Sequence, residues 1–128
     1  MPIWLKETEI RYFHHEQSVE HGGLRGVHDE GALGSTLARP LQLPNNKPET
    51  TLPELAACYG YGFARDHLFA DGSKRIALVT IGLFLMINGY TLTAGEAESV
   101  VIINELANGE MSQQGLAEWI EQNSSPFD

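Results

Sequence analysis

The run IALVTIGLFLMI from Ile76 to Ile87 limits the possible folds more than any other stretch: it spans 12 residues, apolar except for Thr80 and Gly82. Crossing a bilayer takes about 20 apolar residues, so this length suits a helix buried in a protein core. Apolar side chains fall on every face of such a helix, which marks it as the central element of a bundle. The helix is predicted from Ser73 to about Asn88 and ends at Gly89, a residue suited to a left-handed C-terminal position. At 128 residues, with 42% hydrophobic and 20% charged, the chain supports one core and is too short for two ordinary domains. Residues 1–128 therefore read as a single unit.

Helical periodicity recurs on both sides of this run. From Leu5 to Val19, apolar residues at Ile10, Phe13 and helical spacings around them predict a first helix, with Thr8 as its cap or an early-helix residue. It stops at His21-Gly22-Gly23, where paired glycines release the backbone into turns. Asp29 can cap a short helix from about Glu30 to Ala38, which Pro40 is expected to end. Leu41 to Thr51 holds two prolines and two adjacent asparagines and is predicted as an irregular, exposed flap. Thr50 or Thr51 then caps a helix running through Pro53 to about Arg65, with Gly60 and Gly62 inside it. Mid-helix glycines each cost about 0.5–1 kcal/mol relative to alanine, so close packing on another helix is the expected compensation. After the apolar helix, Thr91 or Thr93 opens a helix from about Ala94 to Ala107 that terminates at Asn108-Gly109, and Ser112 caps the last one. No alternating pattern beyond the short Tyr90–Leu92 region suggests a strand, so the expected class is all-α.

Charge and cysteine content narrow the function. A net charge of −9 argues against direct DNA binding, because phosphate backbones are held mainly by Lys and Arg. The lone Cys58 has no partner for a bridge and no zinc-spaced neighbours, which fits a reducing cytoplasm. The start MPIWLKETEIRYF lacks the basic and apolar stretches of a secretion signal, and no segment reads as a membrane span.

The chemistry is concentrated in His67-Leu68-Phe69-Ala70-Asp71-Gly72-Ser73-Lys74-Arg75, where a loop feeds the N-terminus of the apolar helix. Unpaired backbone N–H groups and the positive end of the helix dipole make that place a ready anion site. Gly72 lets the backbone approach a bound group. Lys74 and Arg75 would be ordinary surface charges if they stood alone, but two cations in a first turn oppose the dipole, and a bound polyanion such as phosphate is the simplest compensation. Asp71 offers a hard oxygen for Mg²⁺, and it also suits a helix cap. His67 can take a proton from an attacking hydroxyl, although a single histidine before a helix is more often structural. Phe69 is expected to hold the loop to the core.

This combination resembles the signature of the Fic-like family, His-x-Phe-x-Asp/Glu-Gly-Asn-x-Arg, in which lysine before the arginine marks the Doc branch and is supplied here by Lys74. A second stretch, His21-Gly22-Gly23-Leu24-x-Gly26-x-x-Asp29-x-Gly31 followed by Leu37-Ala38-Arg39-Pro40, is similar to the N-terminal half of that branch. The resemblance covers roughly residues 5 to 122. It implies a compact bundle of about six helices around a buried central helix. It also implies a toxin of a toxin–antitoxin pair, inhibited by a Phd-like antitoxin whose C-terminal helix docks in a groove. The implied reaction uses ATP and Mg²⁺: His67 deprotonates a target hydroxyl, Asp71 holds the metal, and Gly72, Ser73, Lys74 and Arg75 bind the nucleotide phosphates. Most Fic relatives transfer AMP, whereas the Doc branch is a kinase that delivers the terminal phosphoryl group to a threonine of elongation factor Tu and stops translation.

Two positions depart from the family pattern. Leu68 stands where proline is common, and Ser73 stands where the signature has asparagine. Serine offers one short hydroxyl in place of an amide donor and carbonyl acceptor on a longer arm, so binding is expected to survive better than catalysis. An AMP transferase and a catalytically weakened antitoxin-binding protein are the alternatives. His14 and His15 are read as surface or packed residues that the family pattern would also allow near the site. Arg65 and Asp66 form local structure or touch nucleotide. Asp29 and Arg39 read as supports, Tyr59 and Tyr61 as core, and Trp119 as the packing anchor of the last helix.

Overall fold

The computed structural model describes residues 2–12, 30–66 and 73–127. Among these, a helical stretch at residues 7–12 (α1) is followed by α2 (Glu30–Asn46), α3 (Leu52–Asp66), α4 (Ser73–Ile87), α5 (Glu96–Ala107) and α6 (Gln113–Gln122). Two three-residue strands, β1 (Tyr90–Leu92) and β2 (Ser124–Pro126), pair antiparallel, with Thr91 opposite Ser125. The class is all-α, as expected. The rest of the first predicted helix, with His14 and His15, lies outside the described residues, as do the His21-Gly22-Gly23 turn and Asp29.

The local signals explain why α3 starts where it does. Thr51 and Glu54 form a reciprocal capping box: the Thr51 N–H donates to Glu54 Oε1 at 2.8 Å, and the Glu54 N–H donates to Thr51 Oγ1 at 3.3 Å. Lys47 Nζ donates to the other Glu54 oxygen at 2.8 Å, and that bond holds the Glu54 carboxyl below its ordinary value. From this start, residues 55–60 and 62–64 are all buried, and α3 packs against α2, α4, α5 and α6. The two glycines make this crowding possible. A Cβ on Gly60 would lie 2.5 Å from Ile81 Cδ1 on α4, and one on Gly62 would lie 2.6 Å from Thr36 Cγ2 on α2. Gly60→Ala is expected to cost about 1–3 kcal/mol, because Ile81 is fully buried and has little room to yield. Gly34→Ala on α2, with open space around it, is expected to add about 0.5–1 kcal/mol. Thermal melts of the two variants should therefore shift in opposite directions.

Two expectations for residues 30–51 are corrected. Pro40 does not end α2, which continues through Pro40 and Pro44 to Asn46. The predicted flap is therefore helix in its first half. In its second half it is a turn, tied by the Lys47 N–H to Leu43 O at 2.8 Å and the Thr50 N–H to Lys47 O at 3.0 Å. An internal proline removes one intrahelical hydrogen bond and costs about 3 kcal/mol. The burial pattern shows what opposes that cost. Leu33, Thr36, Leu37 and Pro40 are buried, and Leu43 and Pro44 half-buried, on one stripe facing α3. Each fully buried leucine contributes about 1.5–3 kcal/mol, enough to hold the helix through its breakers.

The apolar helix appears at its predicted place as α4. Its buried stripe is Ile76, Ala77, Thr80, Ile81, Phe84 and Leu85, and the Thr80 hydroxyl is satisfied within the helix by Ile76 O at 2.6 Å. The opposite face is less enclosed: Leu78, Val79 and Leu83 are half-buried, and Met86 is 50% exposed. The helix that touches the most neighbours among the described residues is α3. Beyond α4, Gly89 takes the left-handed conformation at φ 88°. Both described ends of the chain meet there. Asn88 Oδ1 accepts the Ile3 N–H at 2.7 Å, its Nδ2 donates to Ile3 O at 3.0 Å, and Phe127 N–H donates to Gly89 O at 2.9 Å. The strand β2 has no sequence signal, because Ser-Ser-Pro is extended here only through its pairing with β1.

Farther on, Asn108 and Gly109 close α5 and Ser112 caps α6, accepting the Gly115 N–H at 2.9 Å, as the sequence predicts. The threonine cap expected for α5 is replaced by Gly95, which makes no side-chain cap bond. Trp119 is half-buried against the core, and its indole N–H donates to Glu98 Oε2 at 3.4 Å.

Tyr59 links the N-terminal segment to the core. Its ring is fully buried 5.1 Å from that of Phe84, and its hydroxyl accepts the Leu5 N–H at 3.4 Å. Burial pushes its phenol from an ordinary value of 10.0 up to about 12, against the opposing effect of the Leu5 hydrogen bond. A phenol whose pKa rises on folding lends stability that is fully present below pH 10 and is lost as pH climbs from about 10 towards about 12. Tyr59→Phe is expected to flatten that alkaline loss in pH-dependent urea titrations. It should cost about 1 kcal/mol at neutral pH, because the Leu5 N–H loses its partner.

Candidate functional site

The site is framed by the C-terminal end of α3 and the N-terminal end of α4, two helices packed against each other along their lengths. The connecting residues, with His67, Phe69, Asp71 and Gly72, lie outside the described residues, as do the side chains of Asp66 and Ser73. What the structure places is the far side of the motif. Ser73 is the first residue of α4, and Lys74 and Arg75 follow in its first turn. Both cations are exposed, whereas Ile76 and Ala77 immediately after them are buried. The backbone thus passes from solvent to core within one turn.

The electrostatics of that turn are one-sided. No acidic residue lies in the first turn of α4, and two positive charges sit beside the positive end of its dipole. Asp and Glu are favoured there. A helix N-terminus with an ammonium and a guanidinium on its first turn suits an anion with several oxygens.

The neighbouring residues fall into structural roles. Arg65, near the end of α3, turns towards α5: its Nη1 donates to Leu106 O at 3.4 Å, and its guanidinium sits 5.9 Å above the Tyr61 ring. Gly109, at φ 81°, leaves the space that this guanidinium occupies, since a Cβ there would lie 2.6 Å from Arg65 Nη1. The Tyr61 contact is local structure, one of the two roles read from sequence, whereas the Leu106 bond is a tertiary tie between α3 and α5. The spacing carried no hint of this, because the contact joins residues 41 positions apart. Arg39 lies against Gly62, with Nη2 3.5 Å from Thr36 Oγ1, and supports the α2–α3 contact. Tyr59 is core and Tyr61 half-buried. Cys58 is buried, and desolvation pushes its thiol up, against the nearby Arg39 charge and a Gln113 hydrogen bond, so it is poorly suited to act as a nucleophile.

Comparison with known proteins agrees with this frame. The Fic/DOC family model matches residues 4–85, which takes in the N-terminal segment, α2, α3 and almost all of α4. The chain belongs to the Fic/DOC family. Within it, the chain is 30% identical over 123 residues to Protein kinase doc of Escherichia phage P1, covering 89% of this chain and 98% of that protein. It is 32% identical over 105 residues to Toxin Doc of Mycolicibacterium smegmatis, covering 78% of this chain and 79% of that protein. No helix among the described residues is long and apolar enough to cross a membrane.

Proposed function

We propose that this chain is the toxin of a toxin–antitoxin pair and acts as a protein kinase, moving the terminal phosphoryl group of ATP to a hydroxyl of a target protein. A threonine of elongation factor Tu is the expected acceptor, and blocked translation the outcome. The observation that carries the reading is the first turn of α4, where Lys74 and Arg75 stand side by side, both exposed, at the N-terminal end of the helix. Two relatives whose names describe a kinase and a toxin add support.

His67 accepts the proton of the target hydroxyl as its oxygen bonds to the terminal phosphorus, and the bridging P–O bond breaks with its electrons leaving on ADP. Arg75 and Lys74 hold the phosphates against the helix N-terminus, and Gly72 gives them room. Asp71 supplies the carboxylate for Mg²⁺, which when bound neutralises charge that builds up on the phosphate oxygens. Phe69 anchors the loop. A Phd-like antitoxin that lays its C-terminal helix into a groove would complete the pair, and a cytoplasmic location fits the lone reduced cysteine.

Ser73 favours a second reading, a scaffold that keeps its partners but transfers slowly. Intact-mass analysis of elongation factor Tu, incubated with Mg²⁺-ATP and this chain or its Ser73→Asn form, separates the cases. The kinase reading expects a phosphoryl-sized gain, faster with Ser73→Asn by on the order of 10²-fold. An AMP-sized gain would move the chain to the nucleotidyl-transferring branch. No gain with either form would overturn the kinase assignment for this target.

A further inference from the structure

Every basic residue of this chain precedes position 76. Residues 1–75 hold eight lysines and arginines against ten acids, whereas residues 76–128 hold seven acids and not one Lys, Arg or His. Six of those acids, Glu96, Glu98, Glu105, Glu110, Glu118 and Glu121, lie on α5, on α6 or in the turn between them. In the middle of this acidic region the outer face of α5 shows two adjacent valines, Val100 at 47% and Val101 at 54% exposure. The inner face is already used, because Ser99, Ile103 and Leu106 point into the core.

Local energetics does not explain the valine pair. A β-branched residue is a poor helix former, and at about half exposure each valine recovers only part of its burial in return. The surroundings give it a pattern. Ala97 and Asn104 lie one turn before and after the pair on the same face, and Glu98 and Glu105 stand one turn to either side of Val101. A short apolar patch of Ala97, Val100 and Val101, flanked by carboxylates with no cation of their own helix to pair with, is the complement of a helix with apolar residues on one stripe and lysines or arginines beside it. A second copy of this chain would bring the same carboxylates against themselves, and an anionic surface would be repelled.

We infer that the outer face of α5, centred on Val100 and Val101 and bordered by Glu98 and Glu105, is a docking surface for a cationic amphipathic helix of a partner protein. This holds whether or not the chain transfers a phosphoryl group. The probe is a synthetic Leu/Lys amphipathic peptide of about 18 residues, long enough for five turns, compared with a peptide of the same composition in scrambled order. Calorimetry and amide shift mapping on the whole chain read the outcome. The amphipathic peptide should bind at least about tenfold more tightly than the scrambled one, with shifts centred on residues 97–104. Binding should weaken about tenfold in the Val100→Ala/Val101→Ala double variant, whose Tm should hold or rise because alanine is the better helix former. Glu98→Gln/Glu105→Gln should weaken binding and reduce its salt dependence. Equal affinity for the two peptides, or unchanged affinity in the valine variant, would overturn the inference. So would a dimer of this chain, seen by sedimentation, that the valine variant abolishes.

Discussion

The His67→Ala chain is expected to transfer phosphoryl groups about 10²–10⁴-fold more slowly than the parent, the share of rate that a positioned general base supplies. On the proposed mechanism nucleotide affinity should be unchanged, because His67 is assigned to the acceptor hydroxyl and the first turn of α4 to the phosphates. Arg75→Ala is expected to do the reverse, weakening nucleotide binding by about 10- to 100-fold, the worth of a charge-assisted hydrogen bond. Single-turnover rates and calorimetric titration with a non-hydrolysable ATP analogue distinguish the two losses. Transfer by His67→Ala at the parent rate would remove this histidine from the reaction, and unaltered binding by Arg75→Ala would move the phosphates away from α4.

Phe84→Ala is expected to cost about 3–5 kcal/mol, a large part of the total stability of a chain this size. Phe84 is fully buried, with the Trp4 ring 6.2 Å and the Tyr59 ring 5.1 Å from its own, so one truncation opens a cavity and removes two aromatic contacts. Its backbone carbonyl also accepts Asn88 Nδ2 at 2.9 Å, a bond that the substitution leaves in place. The urea midpoint should therefore fall steeply without loss of helix content in what remains folded. A cost below about 1 kcal/mol would mean that the rings around position 84 repack and that this part of the core is not closely fitted.

Much of the helix pattern is written in the local sequence. The apolar run between Ser73 and Gly89 is helical because nothing in it competes with helix and its length suits a core element. Ser112 and the Asn108-Gly109 pair mark helix ends through chemistry that acts within a few residues. Thr51 does the same at the start of α3, with a glutamate at the right spacing to answer it. The motif segment was legible as chemistry for a related reason: the histidine, carboxylate, glycine and paired cations are close in sequence. Family membership then follows from two such segments in order.

The prolines of α2 do not end the helix because their local effect, though real, is outweighed. Pro40 and Pro44 break hydrogen bonds wherever they occur, and only the buried stripe that Leu33, Leu37 and Pro40 form against α3 keeps the helix intact. Similarly, Gly60 and Gly62 signal close packing without naming the neighbour; Ile81 and Thr36 emerge only when the helices are assembled.

By itself, then, the sequence determined the class of fold, most of the helix ends, and the chemical character of the segment from His67 to Arg75, since each depends on residues within a turn or two of one another. Tertiary structure alone decided that α2 survives its prolines, that Ser124–Pro126 becomes a strand against Tyr90–Leu92, that Arg65 serves Leu106, and that Val100 and Val101 are left facing solvent. These outcomes depend on surfaces contributed by distant parts of the chain. Their free energies come from burial and pairing across the fold, which periodicity along one segment does not contain.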